Sequence, residues 1–301
     1  MKIPVGIVGY GNLGKAVEKC LKKSKKFELV AIFSRRNVEG TTSIAKLQKY
    51  VGKIELLFLC GGSQNEIEQQ ALTLIKYFNI VESYDNHSRL KTFHKQLNTI
   101  ALKNKKIALC SLGWDPGIFS FVRGFFDCLG YPACTFWGKG TSQGHTQALK
   151  NISGVKDALQ FTIPNKKIID KIKSGEKVEP SKNFHKRDCF IVCENADKAS
   201  IKKSILSMED YFEGYETTVH FVSQEKLDSL KTFSHKGEVF IESNIMNFSL
   251  NLPSNPDFTA KVMTSLAQNY ETLKQKENYG VHTIFDLDLK NILPEDKYYY
   301  L

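Results

Sequence analysis

Four short segments carry residue types whose spacing suggests chemistry. Gly9-Tyr10-Gly11-Asn12-Leu13-Gly14 is a GxGxxG placed between an apolar run and a helix-like segment. In that setting Gly9 makes a tight turn, Gly11 lets backbone N–H groups approach a pyrophosphate, and Gly14 allows close helix–strand packing. Roughly 20 residues after such a motif, a nicotinamide-binding chain usually presents an acid to the ribose hydroxyls. Here the position reads Ser34-Arg35-Arg36, a hydroxyl and two guanidinium forks, which suit the 2′-phosphate of NADP rather than NAD. Farther on, Asp85 in "YDNH" and Asp115 in "GWDPG" bring carboxylates to the ends of two more strand-like runs. Two acids at a nicotinamide site, with Trp114 beside them, suit a substrate bearing a cationic amino group whose proton must be managed.

These residues are useful only if one sheet presents them on one rim. The runs IPVGIVGY, ELVAIFS, IELLFLC, NIVESYD and KIALCSLG read as strands. Between them, LGKAVEKCLKKS, TTSIAKLQKYVG, SQNEIEQQALTLIKYF and SRLKTFHKQLNTIALKNK read as helices. Near-continuous apolar strands alternating with helices predict a parallel sheet covered on both faces. Ligands then bind beyond the carboxyl ends of the strands. This rim holds the glycine motif, the two arginines, both aspartates and the small-residue turn Cys60-Gly61-Gly62-Ser63, expected to pass close to the cofactor.

After Gly117 the texture changes. CFIVCE, TTVHFVS and EVFIESNIMNFSLNL alternate like strands of a mixed or antiparallel sheet, and the Lys/Glu-rich segment from residue 165 reads as a helix and loop. At "NPDFTAKVMTSLAQNYETLKQKEN" a long helix resumes, with Asn255 as N-cap and Pro256 at the first helical position. The expected architecture is α/β. Residues 1–117 and 256–301 form a Rossmann-like, doubly wound dinucleotide-binding domain. Residues 118–255 form an α+β substrate and dimerisation domain.

The composition agrees. With 301 residues, 42% apolar and 25% charged, the chain is long enough for two cores. No apolar run is long enough to span a bilayer and no charged-then-apolar leader opens the sequence, so a cytoplasmic protein without a membrane partner is expected. The seven cysteines are scattered, mostly in apolar runs, and read as reduced thiols. Cys189 and Cys193 alone, in a strand-like run, do not make a metal site, and none is expected. The net charge of +10 comes from dispersed lysines with no nucleic-acid recognition motif. It suits a field that gathers anionic small molecules rather than a nucleic-acid partner.

Taken in order, "VGIVGYGNLG", "IFSRR", "YDNH", "GWDPG", "TFWGKGTSQGH", "HKR" and "NPDFTA" resemble the meso-diaminopimelate dehydrogenase family along essentially the whole chain. The resemblance implies a homodimeric, NADP-dependent enzyme. It would oxidatively deaminate the D-centre of meso-2,6-diaminopimelate to L-2-amino-6-oxopimelate and ammonia, in reverse a step towards lysine. It also implies substrate contacts from Asp85, Trp114 and Asp115, from Gln143 and Gly144 in "SQGH", and from Thr162, Arg187, His235 and Asn255. "FSHKG" around His235 departs from the family's more glycine-rich pattern. Either aspartate serves as base or as electrostatic anchor on this reading. The alternatives are an NADP-dependent D-amino acid dehydrogenase or imine reductase on the same architecture, and a non-catalytic NADP-sensing regulator. The paired acids speak against the regulator.

Overall fold

The computed structural model describes residues 2–62, 66–179, 181–193, 197–209, 211–231, 234–242, 245–294 and 297–300. The chain divides into two compact units, residues 1–121 with 256–301, and residues 122–255.

The first unit alternates as its apolar runs dictate. β1 (Ile3–Val8), α1 (Asn12–Lys23), β2 (Phe27–Ser34) and β3 (Thr42–Ser43) lead to a 3-10 helix over Ile44–Tyr50. β4 (Leu56–Leu59), α2 (Ile67–Leu74), β5 (Asn79–Glu82), α3 (Leu90–Lys103) and β6 (Ile107–Leu109) follow, and α4 (Ile118–Cys128) begins in this unit and continues into the second. The chain returns at its end as α9 (Asn255–Leu266), α10 (Tyr270–Gln275) and β14 (Gly280–His282). The strands form one parallel sheet in the order β14-β6-β5-β4-β1-β2-β3. The order reverses between β1 and β4, and the crevice at that switch point is where a doubly wound sheet binds its ligand.

Period-2 alternation splits each strand between two cores. In β4, Leu56 and Phe58 join α1 (Ala16, Val17, Leu21) and α9 (Ala260, Met263, Leu266), while Leu57 and Leu59 join α2 (Ile67, Ala71) and α3 (Phe93, Leu97). Each fully buried Leu or Phe here contributes about 1.5–3 kcal/mol relative to exposure. A frame buried on both faces fixes the positions of its strand ends.

The second unit is a mixed α+β structure. β8 (Gly140–Thr141), β9 (Val155–Pro164), β10 (His185–Cys193) and β11 (Glu216–Phe221) form one sheet, with β10 and β11 parallel and the other pairs antiparallel. β7 (Ala133–Trp137), β12 (His235–Ile241) and β13 (Asn247–Leu252) form an antiparallel second sheet. α5 (Gln143–Lys150) and α7 (Lys198–Leu206) bury Leu149, Ile201 and Ile205 with Cys189, Ile191 and Phe212. α6 (Lys166–Lys173) adds Ile172 to a group in which Phe136 stacks on Phe184 at 4.9 Å and on Phe240 at 5.5 Å. α8 (Gln224–Leu230) buries Leu227 against Leu159 and Phe161 of β9.

Three elements differ from expectation. The segment read as a helix from residue 41 spends Thr42 and Ser43 pairing with Phe33 and Ser34, which leaves only a short 3-10 helix before Gly52 turns the chain at φ +81°. The run from Glu238 to Leu252 is two antiparallel strands rather than one. The long C-terminal helix starts at Asn255 itself and is interrupted by a 3-10 turn at Ala267–Asn269. Asn269 is 2% exposed, and its side chain donates to Leu266 O and accepts from Asp288 N and Asn291 Nδ2. A side chain that bonds its own backbone and ties down a distant segment tightens the turn.

Candidate active site

The glycine motif builds an anion cradle by contact geometry. Gly9 has φ +97°, and a Cβ on it would stand 2.9 Å from the Cys60 backbone. A Cβ on Gly14 would stand 2.1 Å from Gly9 O. At Gly11 a Cβ would meet nothing within 4 Å, so this face is open to an approaching group. Gly11 caps α1 without a side-chain hydrogen bond, and the first turn holds no acid. The free N–H groups and the positive end of the helix dipole therefore face outward, as a pyrophosphate requires. These residues fit a nicotinamide dinucleotide. Leu13 packs on the core, Asn12 is exposed, and the Tyr10 hydroxyl donates to Glu18 Oε2 at 2.5 Å along α1.

The strand ends around the cradle converge. Gly9 N donates to Phe33 O at 2.9 Å and Cys60 N to Val8 O at 2.7 Å. This places Ser34 and the Cys60-Gly61-Gly62 turn on either side of the glycines. Ser34 is 6% exposed and its Oγ accepts Arg36 N at 3.1 Å. Arg35 and Arg36 are exposed, and Arg35 forms an ion pair with Glu66, which also accepts Gly62 N at 3.4 Å. Ser63 lies outside the described residues.

β5 and β6 hold the acids. Asp85 is exposed and Asp115 is 7% exposed. The loops are in contact: Leu112 N donates to Glu82 O at 3.0 Å, and a Cβ on Gly113 would stand 3.8 Å from Ser83 Cβ. Trp114 stands edge-on to Phe119 at 5.2 Å. The Asp85 loop is also pinned from α2. Glu68 accepts the Tyr84 hydroxyl at 2.9 Å and Arg89 Nη2 at 2.7 Å, and the Arg89 bond holds its carboxyl below the usual range.

The second unit gathers a different set. Arg187 on β10 is 8% exposed, and its Nη1 donates to Thr162 Oγ1 at 2.9 Å across the β9 pairing. The Arg187 guanidinium lies 4.2 Å from the centre of the Tyr215 ring, a cation–π contact. Arg187 Nε, Gln160 Oε1 and Thr141 Oγ1 are buried without a hydrogen-bond partner among the described residues. Burial pulls the Arg187 pKa down, although a guanidinium stays charged. Two neighbouring histidines are neutral: burial, and next the Arg187 charge, push His145 and His185 down to about 3. His185 Nε2 accepts the Trp137 N–H at 2.8 Å, which requires an unprotonated Nε2. His235 is 9% exposed and its Cα lies 3.4 Å from where a Cβ on Gly140 would stand. Gly140 itself pairs with Thr162, so His235, Thr162 and Arg187 fall in one row. Gln143 and Gly144 form the first turn of α5, which Ser142 caps by accepting His145 N. Asn255 closes this unit, half-buried.

Gathered in the first unit, then, are the cradle, the arginines and the two acid loops. In the second are Thr162, Arg187 and His235. Tyr215, Gln160, His145 and His185 are polar or aromatic neighbours of Arg187 that spacing alone did not single out. Glu82, His94 and Cys110 were also missed, although their ligand-type atoms lie within 4.8 Å of one another. A buried acid in "IVESYD" was the available signal. Their atoms serve one another and the backbone: Glu82 accepts Tyr84 N and, at 3.0 Å, Ser111 N, while His94 Nε2 lies 3.0 Å from Ser111 Oγ.

Residues 113–252 match the family described as Diaminopimelic acid dehydrogenase C-terminal domain. The chain is 38% identical to the meso-diaminopimelate D-dehydrogenase of Ureibacillus thermosphaericus, over 98% of this chain and 96% of that one. Among solved structures, C. glutamicum DAP dehydrogenase in complex with DAP superposes with a TM-score of 0.90 at 36% identity, covering 98% of this chain and 97% of that one. An engineered D-amino acid dehydrogenase bound to NADP+ gives a TM-score of 0.87 at 34% identity, covering 99% and 98%. Among the described residues, no helix is long and apolar enough to cross a membrane.

Proposed function

The chain belongs to the meso-diaminopimelate D-dehydrogenase family, and on that premise we propose that it oxidatively deaminates the D-centre of meso-2,6-diaminopimelate with NADP+, reversibly. The products are L-2-amino-6-oxopimelate, which cyclises to tetrahydrodipicolinate, and ammonia. Cofactor binding falls to residues 1–117 with 256–301, and substrate grip and dimerisation to residues 118–255. The NADP+ complex of the engineered relative supports the cofactor, as does the row Ser34, Arg35 and Arg36 beside the cradle.

When bound, NADP+ takes the hydride from the D-centre Cα. The protein's residues do the rest. The N–H groups at Gly11 would hold the pyrophosphate, the arginines would hold the 2′-phosphate, and the turn at Cys60, Gly61 and Gly62 would contact the cofactor. Asp85 and Asp115 anchor the reacting ammonium and take the proton it must lose before hydride leaves. The resulting substrate imine adds water and expels ammonia. Trp114, Gln143 and Gly144 shield this end. Arg187, Thr162, His235 and Asn255 grip the distal L-centre, which must be read if only one of two similar centres is to react.

One observation carries this reading, the buried Arg187 guanidinium with Nε unsatisfied beside Thr162. An unpaired buried cation costs several kcal/mol, which a substrate carboxylate recovers through a charge-assisted fork. The test is nicotinamide reduction with meso-, LL- and DD-diaminopimelate, each with NADP+ and NAD+. Turnover of the meso isomer with NADP+ and little with LL supports the reading. NADP+ binding without oxidation of any isomer defeats the substrate half.

A second reading, oxidation of simple D-amino acids, is favoured by likeness to the engineered D-amino acid dehydrogenase. The same assay with those substrates decides it. A homodimer is supported by the exposed apolar side chains Phe121, Phe125, Leu129 and Tyr131 on and after α4. Sedimentation at several concentrations tests this, and a monomer at all of them refutes it.

A further inference from the structure

The proposed acids sit on two separate loops, and proton transfer demands that these hold still relative to each other. The side chain that joins one loop to the other lies outside the proposed chemistry. Glu82, the last residue of β5, is fully buried and directed into the junction of the two loops. One carboxylate oxygen accepts the N–H of Tyr84, next to Asp85. The other accepts the N–H of Ser111 at 3.0 Å, in the segment that leads to Trp114 and Asp115. Its backbone oxygen accepts Leu112 N at 3.0 Å, and the Cys110 thiol donates to the carboxylate as well. Ser111 has φ +56°, a conformation that costs a non-glycine residue free energy and persists only where its surroundings impose it. Two groups impose it here, Glu82 on the Ser111 backbone and His94 Nε2 on the Ser111 hydroxyl at 3.0 Å.

We propose that Glu82 is a positioning residue for the dehydrogenation, clamping the Asp85 loop to the Asp115 loop so that both carboxylates meet one amino group. The proposal rests on the reading of Asp85 and Asp115 above and deepens it. A loop held only by its ends samples many positions, and a misplacement of about 1 Å costs roughly 10²-fold in rate. The clamp is also electrically coupled to what it holds. Burial pushes the Glu82 carboxyl up to about 7, and the Asp85 charge pushes in the same direction. The titratable groups facing it are Asp85 on its own loop, Cys110 on β6 and, through Ser111, His94 on α3. Burial drives the Cys110 thiol well up and His94 down, so both are neutral and Asp85 is the charge beside the clamp.

The test uses the full-length enzyme with Glu82→Gln, Glu82→Asp, Asp85→Asn and Asp115→Asn. Glu82→Gln keeps the shape but sets an NH2 against one of the two backbone donors. It should lower kcat by roughly tenfold or more with NADP+ affinity unchanged. With the titrating carboxyl gone, the inflection that Glu82 gives the kcat profile near pH 7 should disappear. Glu82→Asp, which restores two acceptor oxygens, should recover part of kcat. Unchanged kcat and an unchanged profile near pH 7 in Glu82→Gln overturn the proposal. So does loss of NADP+ binding and of the folded signal in both Glu82 variants, which would make the role structural. If Asp85→Asn and Asp115→Asn keep full turnover, the reading of the acids fails and the clamp falls with it. If they lose turnover while Glu82→Gln does not, only the clamp fails.

Discussion

Arg187 and Thr162 face each other across the antiparallel pairing of β10 with β9, Nη1 to Oγ1 at 2.9 Å, and the guanidinium lies 4.2 Å from the centre of the Tyr215 ring. Among the described residues no carboxylate pairs with this arginine, and its Nε is unsatisfied. Among the described residues, then, a hydroxyl and a ring meet this buried cation but no anion does. Arg187→Met should therefore have effects of opposite sign. The ligand-free protein melts higher, because an uncompensated charge gives way to an apolar side chain of similar length. The KM for meso-diaminopimelate rises by roughly 10²-fold or more, since about 3 kcal/mol of charge-assisted binding is gone. Calorimetry with and without substrate, beside steady-state kinetics, checks both. A lower melting temperature with unchanged KM would mean that Arg187 serves the fold.

The glycines of the cradle should separate folding from binding. A Cβ at Gly14 would stand 2.1 Å from Gly9 O, a backbone atom that cannot yield, whereas one at Gly11 would meet nothing within 4 Å. Gly14→Ala should destabilise the first unit by upwards of about 3 kcal/mol, as overpacking against backbone does. Gly11→Ala should cost only up to about 1 kcal/mol of stability as a poorer N-cap, yet weaken cofactor binding by crowding the pyrophosphate path. Thermal melts and a cofactor titration on the same two variants distinguish these outcomes. Equal loss of stability in both would contradict the division of roles.

The arginines after β2 should not contribute equally. Arg35 is held by Glu66, so it must exchange that partner to reach a phosphate, whereas the backbone N–H of Arg36 is anchored on Ser34 Oγ at 3.1 Å. Arg36→Ala should lower the preference for NADP+ over NAD+ by roughly 10–100-fold, the worth of one charge-assisted bond of about 1.5–3 kcal/mol. Arg35→Ala should lower it less, and Glu66→Gln should raise NADP+ affinity by freeing Arg35. Ratios of kcat/KM for the two cofactors measure all three. If NAD+ serves the unmodified enzyme as well as NADP+, both arginines are surface charges.

What the sequence displayed and what it hid follow from the range of the interactions. The glycine motif was legible because its reasons are local: Gly9 and Gly14 touch each other within one turn, and the strand before and helix after are written in adjacent residues. The parallel sheet was legible because strands buried on both faces are apolar almost without break. The short 3-10 helix at Ile44–Tyr50 was not, since Thr42 and Ser43 go to an edge strand whose partner is set by the whole sheet. Glu82 reads as one polar residue in a strand. Only the pairing of β5 with β6 reveals that its carboxylate meets Ser111 N. Tyr215 became a neighbour of Arg187 through the parallel register of β10 with β11, which no local spacing encodes.

Burial close to the same arginine makes the second unit sensitive to acid. His185 is 5% exposed, accepts the Trp137 N–H at 2.8 Å, and is held down to about 3 by burial and by the Arg187 charge. Its ordinary value is 6.5, so the folded state binds this proton less readily than the unfolded chain does. The stability associated with neutral His185 is therefore present above about pH 6.5 and drains away as pH falls towards 3. Protonation would also set a second N–H against that of Trp137. The gap between the two values is worth on the order of 5 kcal/mol by the acid end of the window. His185→Gln can offer Oε1 to the same N–H without titrating, so its urea midpoint should fall less between pH 7 and pH 4 than that of the parent chain. Parallel declines for the two proteins would place the acid sensitivity elsewhere, with neutral His145 the next side chain to replace.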